Sequence, residues 1–393
     1  MREKINRVSP RPTKILFVFE FPPSDSEWQV RDLTAGLRAR RRGLVIEFCS
    51  GVISKYRPGG LSPMRVLNGL WVHVRTVAQI LFGRHDVVIV RSAPPLIQMT
   101  VSAACRVRGT PYWVWLMDAH PEIEALRWGR IPGLGWLCRR LASLNARCLA
   151  RAKIVVVLDE GMRRRLIPDM RVDRVIICPT WGSRRPVAIE GKFARRSERG
   201  RPRVLRLAYL GNLSMAHDLP LMDQLLQACA ERVEVEVTFI GTSEASIRAM
   251  ADLTIGHRIT LSTSPRIPFD ELSIELPKRQ IDYGIISLAE EFLGLLSPSK
   301  FSGYLVASLP IIYLGPAGTN AAIVCDELGA GIRLSRETLS GSGRARAINH
   351  IVNEIEHEKM REQTGHALRY LEKYDGDYLA GEILACAGLP DCG

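Results

Sequence analysis

No stretch of this sequence reaches the roughly 18 uninterrupted apolar residues that a membrane-spanning helix needs. The most apolar segment, from Asp86 to Cys105, is broken by Arg91, Pro94 and Pro95. The first 14 residues are basic and contain no apolar run of the kind that a secretory signal carries. We therefore expect the protein in the cytoplasm.

Cysteine pairs at metal-ligand spacing are also absent, as are internal repeats and low-complexity tracts. The nine cysteines are an odd number and are widely spread, so we expect reduced thiols that mostly fill the core. They are Cys49, Cys105, Cys138, Cys148, Cys178, Cys229, Cys325, Cys386 and Cys392. This pattern predicts neither a zinc site nor a disulfide framework.

Negative charge is scarce in the first half of the chain. Residues 1–200 hold 36 Lys and Arg against 16 Asp and Glu, whereas residues 201–393 hold 18 against 25, so the halves carry +20 and −7. A half this basic should attract an anionic bilayer, a lipid phosphate or a nucleic acid, although an arginine-rich proteome would give the same bias. The arginines that stand out are Arg38, Arg40, Arg41, Arg42, Arg65, Arg75, Arg106 and Arg108. We expect them to hold this half peripherally at the inner face of the cell membrane.

The chain of 393 residues is too long for one compact core, since one domain takes about 100–200 residues. With 46% hydrophobic and 24% charged residues, its composition is that of a globular protein. Apolar runs without alternation, such as Ile15–Phe19 and Ile154–Leu158, indicate strands that are covered on both faces, and helical patterns separate them. This alternation stops between Gly182 and Arg203 and restarts at Leu205.

We therefore predict an α/β protein of two Rossmann-like, doubly wound domains that face each other across a cleft. The predicted boundaries are 1–182 for an N-terminal domain, 183–203 for a linker and 204–393 for a C-terminal domain whose last helix packs back on the N-terminal one. In the first domain, a helix over Ser62–Phe82 carries apolar residues at helical spacing, and we expect Trp71 and its neighbours to lie in the core.

Two segments of the second half have the pattern of a phosphate site. Gly211-Asn212 follows a predicted strand and precedes a helix, so its backbone N–H groups can approach a phosphate. Pro298-Ser299-Lys300 opens another predicted helix, where Pro298 suits the first turn, N–H groups are unpaired and Lys300 adds a positive charge. An ordinary turn glycine and a helix cap beside a solvated lysine are the alternatives.

Polar side chains follow the buried strand Pro111–Leu116 directly. Asp118, His120 and Glu122 therefore lie at its carboxyl end, where they can act as acid, base or hydroxyl-binding groups toward a sugar. Alternatively, Asp118 caps a helix that starts at Pro121.

In their order along the chain, these motifs resemble those of the GT-B glycosyltransferases of family 4, especially the bacterial branch of the colanic-acid type that builds surface polysaccharides. The matching segments fall within residues 14 to 335. They are Ile15–Pro23, Asp86–Pro95, Asp118–Glu122, Pro179–Trp181, Tyr209–Asn212 and Pro298–Lys300.

The resemblance implies the retaining transfer of a hexosyl or N-acetylhexosaminyl group, without a metal or other cofactor. The donor would be a nucleotide sugar, UDP-linked by family default, and the acceptor a lipid-linked or saccharide hydroxyl. Catalytic roles are implied for Asp118, His120 and Lys300. Donor contacts are implied at Gly211, Asn212, Gly241, Ser299, Lys300, Phe301, Ser302 and Gly303, and acceptor contacts at Pro23, Ser24, Asp25 and Glu122.

Three departures from the family pattern concern the site. Many members carry two glutamates eight residues apart, and the corresponding positions here are Leu295 and Gly303. A lysine common after the first strand of the second domain is replaced by His217, and the Gly-Gly of the first loop is Asp25-Ser26. We interpret this as a subtype in which Lys300 supplies most of the phosphate neutralisation.

Other functions stay open on the sequence alone. An epimerase or phosphorylase on the same scaffold would turn over a substrate of the same class, and an epimerase would need no acceptor. An inactive subunit of a polysaccharide assembly would account for the missing glutamates. Nucleic-acid binding would use the basic half, but no aromatic-basic sheet motif, zinc finger or helix-turn-helix pattern supports it.

Overall fold

The structure, a computed structural model, describes residues 12–20, 28–52, 63–181, 204–254 and 258–388. These residues form two units, each built on one parallel sheet of six strands. The first unit takes the described residues up to Leu158, residues 163–178 and those from Tyr374 onward, and the second takes residues 159–162 and those from Pro179 to Lys373. The predicted linker, 183–203, lies outside the described residues.

The sheet of the first unit has the strand order β2-β1-β3-β4-β5-β6. Its strands are β1 (Lys14–Val18), β2 (Val45–Cys49), β3 (Val87–Arg91), β4 (Tyr112–Trp115), β5 (Ile154–Val157) and β6 (Val175–Ile177). In the observed register, Phe17 of β1 lies between Phe48 of β2 and Ile89 of β3. The central strands are buried along almost their whole length, as their unbroken apolar runs predict.

Helices cover both faces of this sheet. They are α1 (Trp28–Arg40), α2 (Pro63–Phe82), α3 (Ile97–Arg108), α4 (Glu122–Trp128), α5 (Leu134–Arg151) and α6 (Glu160–Leu166). Because βαβ crossovers are right-handed and the chain reverses direction along the sheet after β2, α1 lies on one face and α2, α3 and α5 lie on the other.

The second unit repeats this architecture with the strand order β12-β11-β10-β7-β8-β9. Its strands are β7 (Val204–Leu210), β8 (Glu234–Ile240), β9 (Ile259–Ser264), β10 (Tyr283–Ser287), β11 (Ile311–Leu314) and β12 (Gly331–Leu334). Its helices are α7 (Leu219–Ala230), α8 (Glu244–Leu253), α9 (Leu272–Lys278), α10 (Phe301–Val306), α11 (Asn320–Asp326), α12 (Arg336–Ser340), α13 (Arg344–Val352) and α14 (Glu354–Glu372). The final helix, α15 (Gly376–Ala387), belongs to the first unit. Two doubly wound parallel sheets are thus confirmed.

Helix ends differ from the sequence prediction at two places. The sequence predicts one helical stretch over Arg344–Leu371, but this segment forms two helices, because the Asn353 side chain accepts hydrogen bonds from the first N–H groups of α14. The placement of Pro298 in a first helical turn is wrong, since α10 begins only at Phe301 and Pro298 precedes it.

The expectation that Trp71 and its neighbours on α2 lie in the core is also wrong. Trp71 is 50% exposed and Leu67 is 61% exposed, whereas the buried side of α2 includes Asn68, Gly69 and Thr76. The exposed side of α2 carries more of the large apolar side chains than the buried side does, so the apolar periodicity alone predicts the wrong side for the core. None of the helices in the described part of the chain combines the length and the apolar character that crossing a bilayer requires.

The helix α15 packs closely on α1 through small residues. A Cβ atom on Gly376 would lie 2.2 Å from the carbonyl carbon of Asp32, and one on Gly36 would lie 2.8 Å from the carbonyl oxygen of Gly376. Next to this contact, Arg40 and Asp377 form an ion pair at 2.8 Å. The backbone atoms of the two helices therefore touch, and no side chain fits between them.

We expect Gly376→Ala to lower the free energy of unfolding by about 2–3 kcal/mol, because backbone atoms of α1 cannot move aside as a flexible side chain can. The matched control is Gly365→Ala in α14, where the nearest atom to the added Cβ is the Arg369 guanidinium at 3.8 Å. This second change should raise the free energy of unfolding by about 0.5–1 kcal/mol. Urea unfolding measures both, and equal stability of the two variants would contradict the tight contact.

Candidate functional site

The strand β7 ends in a tight turn at Gly211. This glycine has a φ of +78°, in the left-handed region that other residues rarely adopt. Its N–H donates to the carbonyl oxygen of Ile240 at 2.8 Å, and its own carbonyl accepts from the Thr242 hydroxyl at 2.6 Å. The turn is therefore fixed against the end of the neighbouring strand β8.

The side chain of Lys300 reaches this turn from the residue just before α10. Its Cε lies 3.7 Å from the place that a Cβ of residue 211 would take. Its ammonium donates a hydrogen bond to the Tyr209 hydroxyl and lies 3.7 Å from the centre of that ring, a cation–π contact. The Nε2 atom of His217 is 3.4 Å from Lys300 Nζ. The structure thus brings Gly211 and Lys300 together, with Tyr209 and His217 as the other walls.

Burial changes the ionisation of both basic groups in this cluster. Desolvation lowers the pKa of Lys300 to about 7. Desolvation, with a smaller effect of the Lys300 charge, lowers the pKa of His217 to about 4. His217 is therefore neutral at pH 7 and brings no positive charge, so of these two groups only Lys300 can offer a positive charge to a phosphate at this turn.

The start of α10 is held in place by the buried side chain of Tyr304. Its hydroxyl accepts from the N–H of Leu210 at 2.9 Å and lies 3.0 Å and 3.1 Å from the carbonyl oxygens of Ala208 and Ile285. The ring fits because residue 284 is glycine, where a Cβ would lie 2.3 Å from it. These bonds tie the helix to both β7 and β10.

The segment from Ser299 to Gly303 offers backbone groups more than side chains. Ser299 is exposed, and the Ser302 hydroxyl donates to its carbonyl oxygen at 3.0 Å. The Phe301 side chain is fully buried, and a Cβ on Gly303 would lie 2.9 Å from Leu272 Cδ1. Phe301 and Gly303 can therefore contact a ligand only through their backbone.

Of two further predicted donor residues, Asn212 directly follows Gly211 after β7, and Gly241 lies at the neighbouring turn after β8. Asn212 is exposed, and its Oδ1 accepts from the N–H of Ser243 at 3.2 Å. Gly241 has a φ of +70° and borders Arg266, whose Cβ lies 3.1 Å from the place of an added Cβ. Gly241 thus belongs to a second turn and does not contact Lys300.

The two positions at which many family members carry glutamates are both internal. Leu295 is only 1% exposed. A Cβ on Gly303 would point toward Leu272, Leu210 and Phe269. A carboxylate at either position would be surrounded by apolar groups and would lose its hydration, which agrees with the apolar residue types found here.

The acidic and imidazole groups of the first unit lie between β4 and the start of α4. Asp118 does not cap this helix, because Pro121 is the cap residue and α4 has no side-chain cap bond. His120 Nδ1 lies 2.6 Å from Glu124 Oε1, one helical turn further on. Glu124, which the motif analysis did not single out, is therefore the direct partner of the imidazole.

The carboxylate of Glu122 is bound internally. Asn145 of α5 donates from Nδ2 to both Glu122 oxygens, at 3.0 Å and 3.3 Å. Gln98 of α3 donates from Nε2 to Asn145 Oδ1 at 3.1 Å and to the carbonyl oxygen of His120 at 2.7 Å. Two buried amides therefore orient the turn that carries the imidazole.

Nearby charges and burial have opposite effects on the pKa of the His120 imidazole. Desolvation alone would lower the pKa of His120, but the hydrogen bond and charge of Glu124, with the charges of Asp118 and Glu122, outweigh it, so the pKa is raised. The pKa of Asp118 is raised too, chiefly by desolvation and against the charge of His120. The three carboxyl groups around His120 thus favour an imidazolium.

We expect Glu124→Gln to lower the pKa of His120. Desolvation is the largest single influence on this imidazole, and Glu124, through its hydrogen bond and its charge, is the main influence that offsets it. NMR titration of the histidine ring protons measures the shift, with His120→Asn to assign the signal. The His217 signal serves as the internal control, because it belongs to the other unit. An unchanged pKa of His120 would contradict the pairing.

Some predicted site residues fall outside the described residues, and some residues of the site were not predicted. Pro23, Ser24 and Asp25 fall outside the described residues. Glu124 lies four residues after His120, and this spacing is the local signal that predicts the His120–Glu124 pair. Asn145, Gln98 and Tyr304 come from distant segments and carry no local signal. In the described part of the chain, no group of three or more His, Cys, Asp or Glu side chains could hold a metal ion.

Comparison with known proteins supports the fold. A search with protein-family models finds no match to this sequence, and a search of curated protein sequences finds none either. Solved structures do match. A lipopolysaccharide outer core galactosyltransferase, WaaB, is 12% identical with a TM-score of 0.61, covering 96% of this chain and 99% of its own.

Two more structures match over the same length. Sucrose-phosphate synthase from Thermosynechococcus elongatus is 11% identical with a TM-score of 0.62, covering 96% of this chain and 98% of its own. Anabaena HepE in complex with UDP and glucose is 12% identical with a TM-score of 0.59, covering 96% and 100%. At these identities the likeness establishes the architecture, and this chain has the GT-B fold.

Proposed function

We propose that this protein is a glycosyltransferase that takes its sugar from a nucleotide-sugar donor. One observation carries the proposal: the ammonium of Lys300 lies at the Gly211 turn, at the carboxyl end of β7, in a chain with the GT-B fold. Ligands of doubly wound sheets bind at such strand ends. Anabaena HepE, with the same fold, was crystallised with UDP and glucose, which supports a UDP-linked donor.

Lys300 would act on the leaving group. In the transfer, the bond between the anomeric carbon and a β-phosphate oxygen breaks, and its electron pair stays on the nucleoside diphosphate. The acceptor hydroxyl oxygen forms the new bond to the anomeric carbon, and its proton passes to the departing diphosphate. An ammonium beside that phosphate stabilises the charge that develops, in a site where little water screens it.

The turn that carries Asp118 and His120 would bind hydroxyl groups of the sugar and of the acceptor. The imidazolium favoured by Glu124 can donate hydrogen bonds to hydroxyl groups, and the Asp118 carboxylate can accept them. We propose retention of the anomeric configuration, a subtype of family 4 and a role in surface-polysaccharide synthesis, all on the resemblance in sequence motifs. Transfer to a lipid-linked or saccharide acceptor, without a metal, belongs to the same proposal.

Thermal stabilisation by nucleotide sugars tests the proposal first, because a ligand that binds only the folded protein raises Tm. At a concentration about 100 times its Kd, a donor adds about 2.7 kcal/mol to the free energy of unfolding. The best donor is then incubated with and without acceptor, in buffer with EDTA. Transfer that needs an acceptor and persists in EDTA supports the proposal, interconversion of the donor alone indicates an epimerase, and the absence of any stabilising nucleotide refutes donor binding.

A further inference from the structure

One helix layer of the first unit is rich in arginine and free of carboxylates. The helix α3 packs against both α2 and α5, so the three form a single layer on one face of the sheet. Together they contain eight arginines and no aspartate or glutamate. On the opposite face, α1 and α15 carry three arginines, Arg31, Arg38 and Arg40, which are balanced by Asp32, Asp377 and Glu382. The uncompensated positive charge of these helices therefore lies on the side of α2, α3 and α5.

The solvent side of α2 in this layer is apolar. Leu67, Leu70, Trp71 and Val74 are 61%, 57%, 50% and 64% exposed. Their spacing of three and four residues places them on one side of the helix. The apolar side of a helix normally faces the core, so this exposed stripe is an unused apolar surface.

The solvent side of α5 combines aromatic and cationic side chains. Trp136 is 56% exposed, and the guanidinium of Arg140 lies 5.5 Å from its ring centre. Arg147 and Arg151 follow at intervals of seven and four residues and are exposed. Tryptophan and arginine are the side chains that favour the headgroup region of a bilayer, one for its amphipathic ring and the other for phosphate.

These arginines have no carboxylate partners among the described residues. Arg139, Arg140, Arg147 and Arg151 form no ion pair there, and no Asp or Glu occurs between Glu124 and Asp159. By contrast, the α2 residue Arg65 is paired with the carboxylate of Glu20 at 2.9 Å. The charge on α5 is thus available to an external anion.

We propose that this layer docks on an anionic lipid bilayer, with the α2 stripe and Trp136 among the headgroups and the α5 arginines on lipid phosphates. A second copy of the chain is a poorer partner for this surface, because the arginines of the two copies would face and repel each other. In a βα unit a helix follows the carboxyl end of its strand, so the first turns of α2 and α5 lie toward the edge that carries Asp118 and His120. Docking goes beyond sugar transfer and does not require it.

Vesicle sedimentation at low salt tests the docking, with phosphatidylcholine vesicles and with vesicles of which about one third is phosphatidylglycerol. The wild type should bind the second kind and release it as salt rises. Each arginine near an anionic bilayer raises the affinity about fivefold, so Arg140→Gln with Arg147→Gln should weaken binding about 25-fold. Leu67→Ser with Trp71→Ser should weaken it about tenfold or more. All four side chains are exposed, so these variants should fold.

The matched controls change exposed residues of the second unit. Arg232→Gln with Arg258→Gln removes two exposed arginines, and Ile355→Ser removes an apolar side chain that is 68% exposed. Both should bind vesicles as the wild type does. Failure of the wild type to bind anionic vesicles, losses as large in the controls, or a dimer that Trp71→Ser disperses would each overturn the proposal. The measurement uses neither donor nor acceptor, so it is independent of the proposed transfer.

Discussion

Replacing Lys300 by methionine should reduce kcat/KM for sugar transfer by about 10²–10³-fold and leave the protein folded. Methionine keeps an unbranched stem of similar length over the Tyr209 ring, so packing at the Gly211 turn is largely retained while the charge is lost. Because His217 is neutral at pH 7, it cannot replace that charge. Initial rates with donor and acceptor measure the loss.

The same variant should be at least as stable as the wild type, which separates a loss of activity from a loss of structure. Desolvation opposes the charged form of Lys300, so the apolar side chain avoids that cost. Lys278→Met is the matched control, because Lys278 is exposed and pairs only with Glu275 on its own helix. Undiminished transfer by Lys300→Met, or an equal loss in the control, would refute the role of Lys300.

Gly211 and Lys300 lie close together because of the order of the strands in the sheet, and the sequence largely predicts this. Gly211 ends β7, and Lys300 lies in the connection that follows β10. These two strands are neighbours in the sheet, and the carboxyl ends of parallel strands share one edge. Once both halves are recognised as doubly wound, glycine and lysine are expected on the same side.

Several features could not be predicted from local sequence patterns, and the first of them depends on contacts between distant segments. The shifted pKa of Lys300 arises from burial in a pocket walled by Tyr209 and His217, which are 91 and 83 residues away in sequence. The strand β12 was missed because Gly331–Leu334 is short and largely half-exposed, so it has no strong apolar run. The exposed side of α2 was wrongly predicted to lie in the core because that side carries most of the large apolar side chains of the helix.

Binding of UDP-glucose should weaken as pH rises above about 7, by nearly tenfold for each pH unit above about 8 and by about 50-fold in total between pH 7 and 9. The free protein loses the Lys300 proton near the pKa of about 7, whereas a bound diphosphate favours the ammonium and raises that pKa toward its ordinary value. Binding therefore takes up a proton, and affinity falls as pH rises through this window. The diphosphate of the ligand does not titrate there, and the uracil N3–H titrates only at the upper end of this range, so the slope below that point belongs to the protein.

Titration calorimetry in two buffers of different ionisation enthalpy measures both the affinity and the number of protons taken up. The number should approach one near pH 8 and fall toward zero below pH 6, where Lys300 is protonated before binding. In Lys300→Met the affinity should be weaker at pH 7 and nearly independent of pH, because no other basic group at this turn titrates in the window: the pKa of His217 lies near 4. If the wild type binds with the same affinity at pH 7 and 9, the ammonium does not contact the diphosphate.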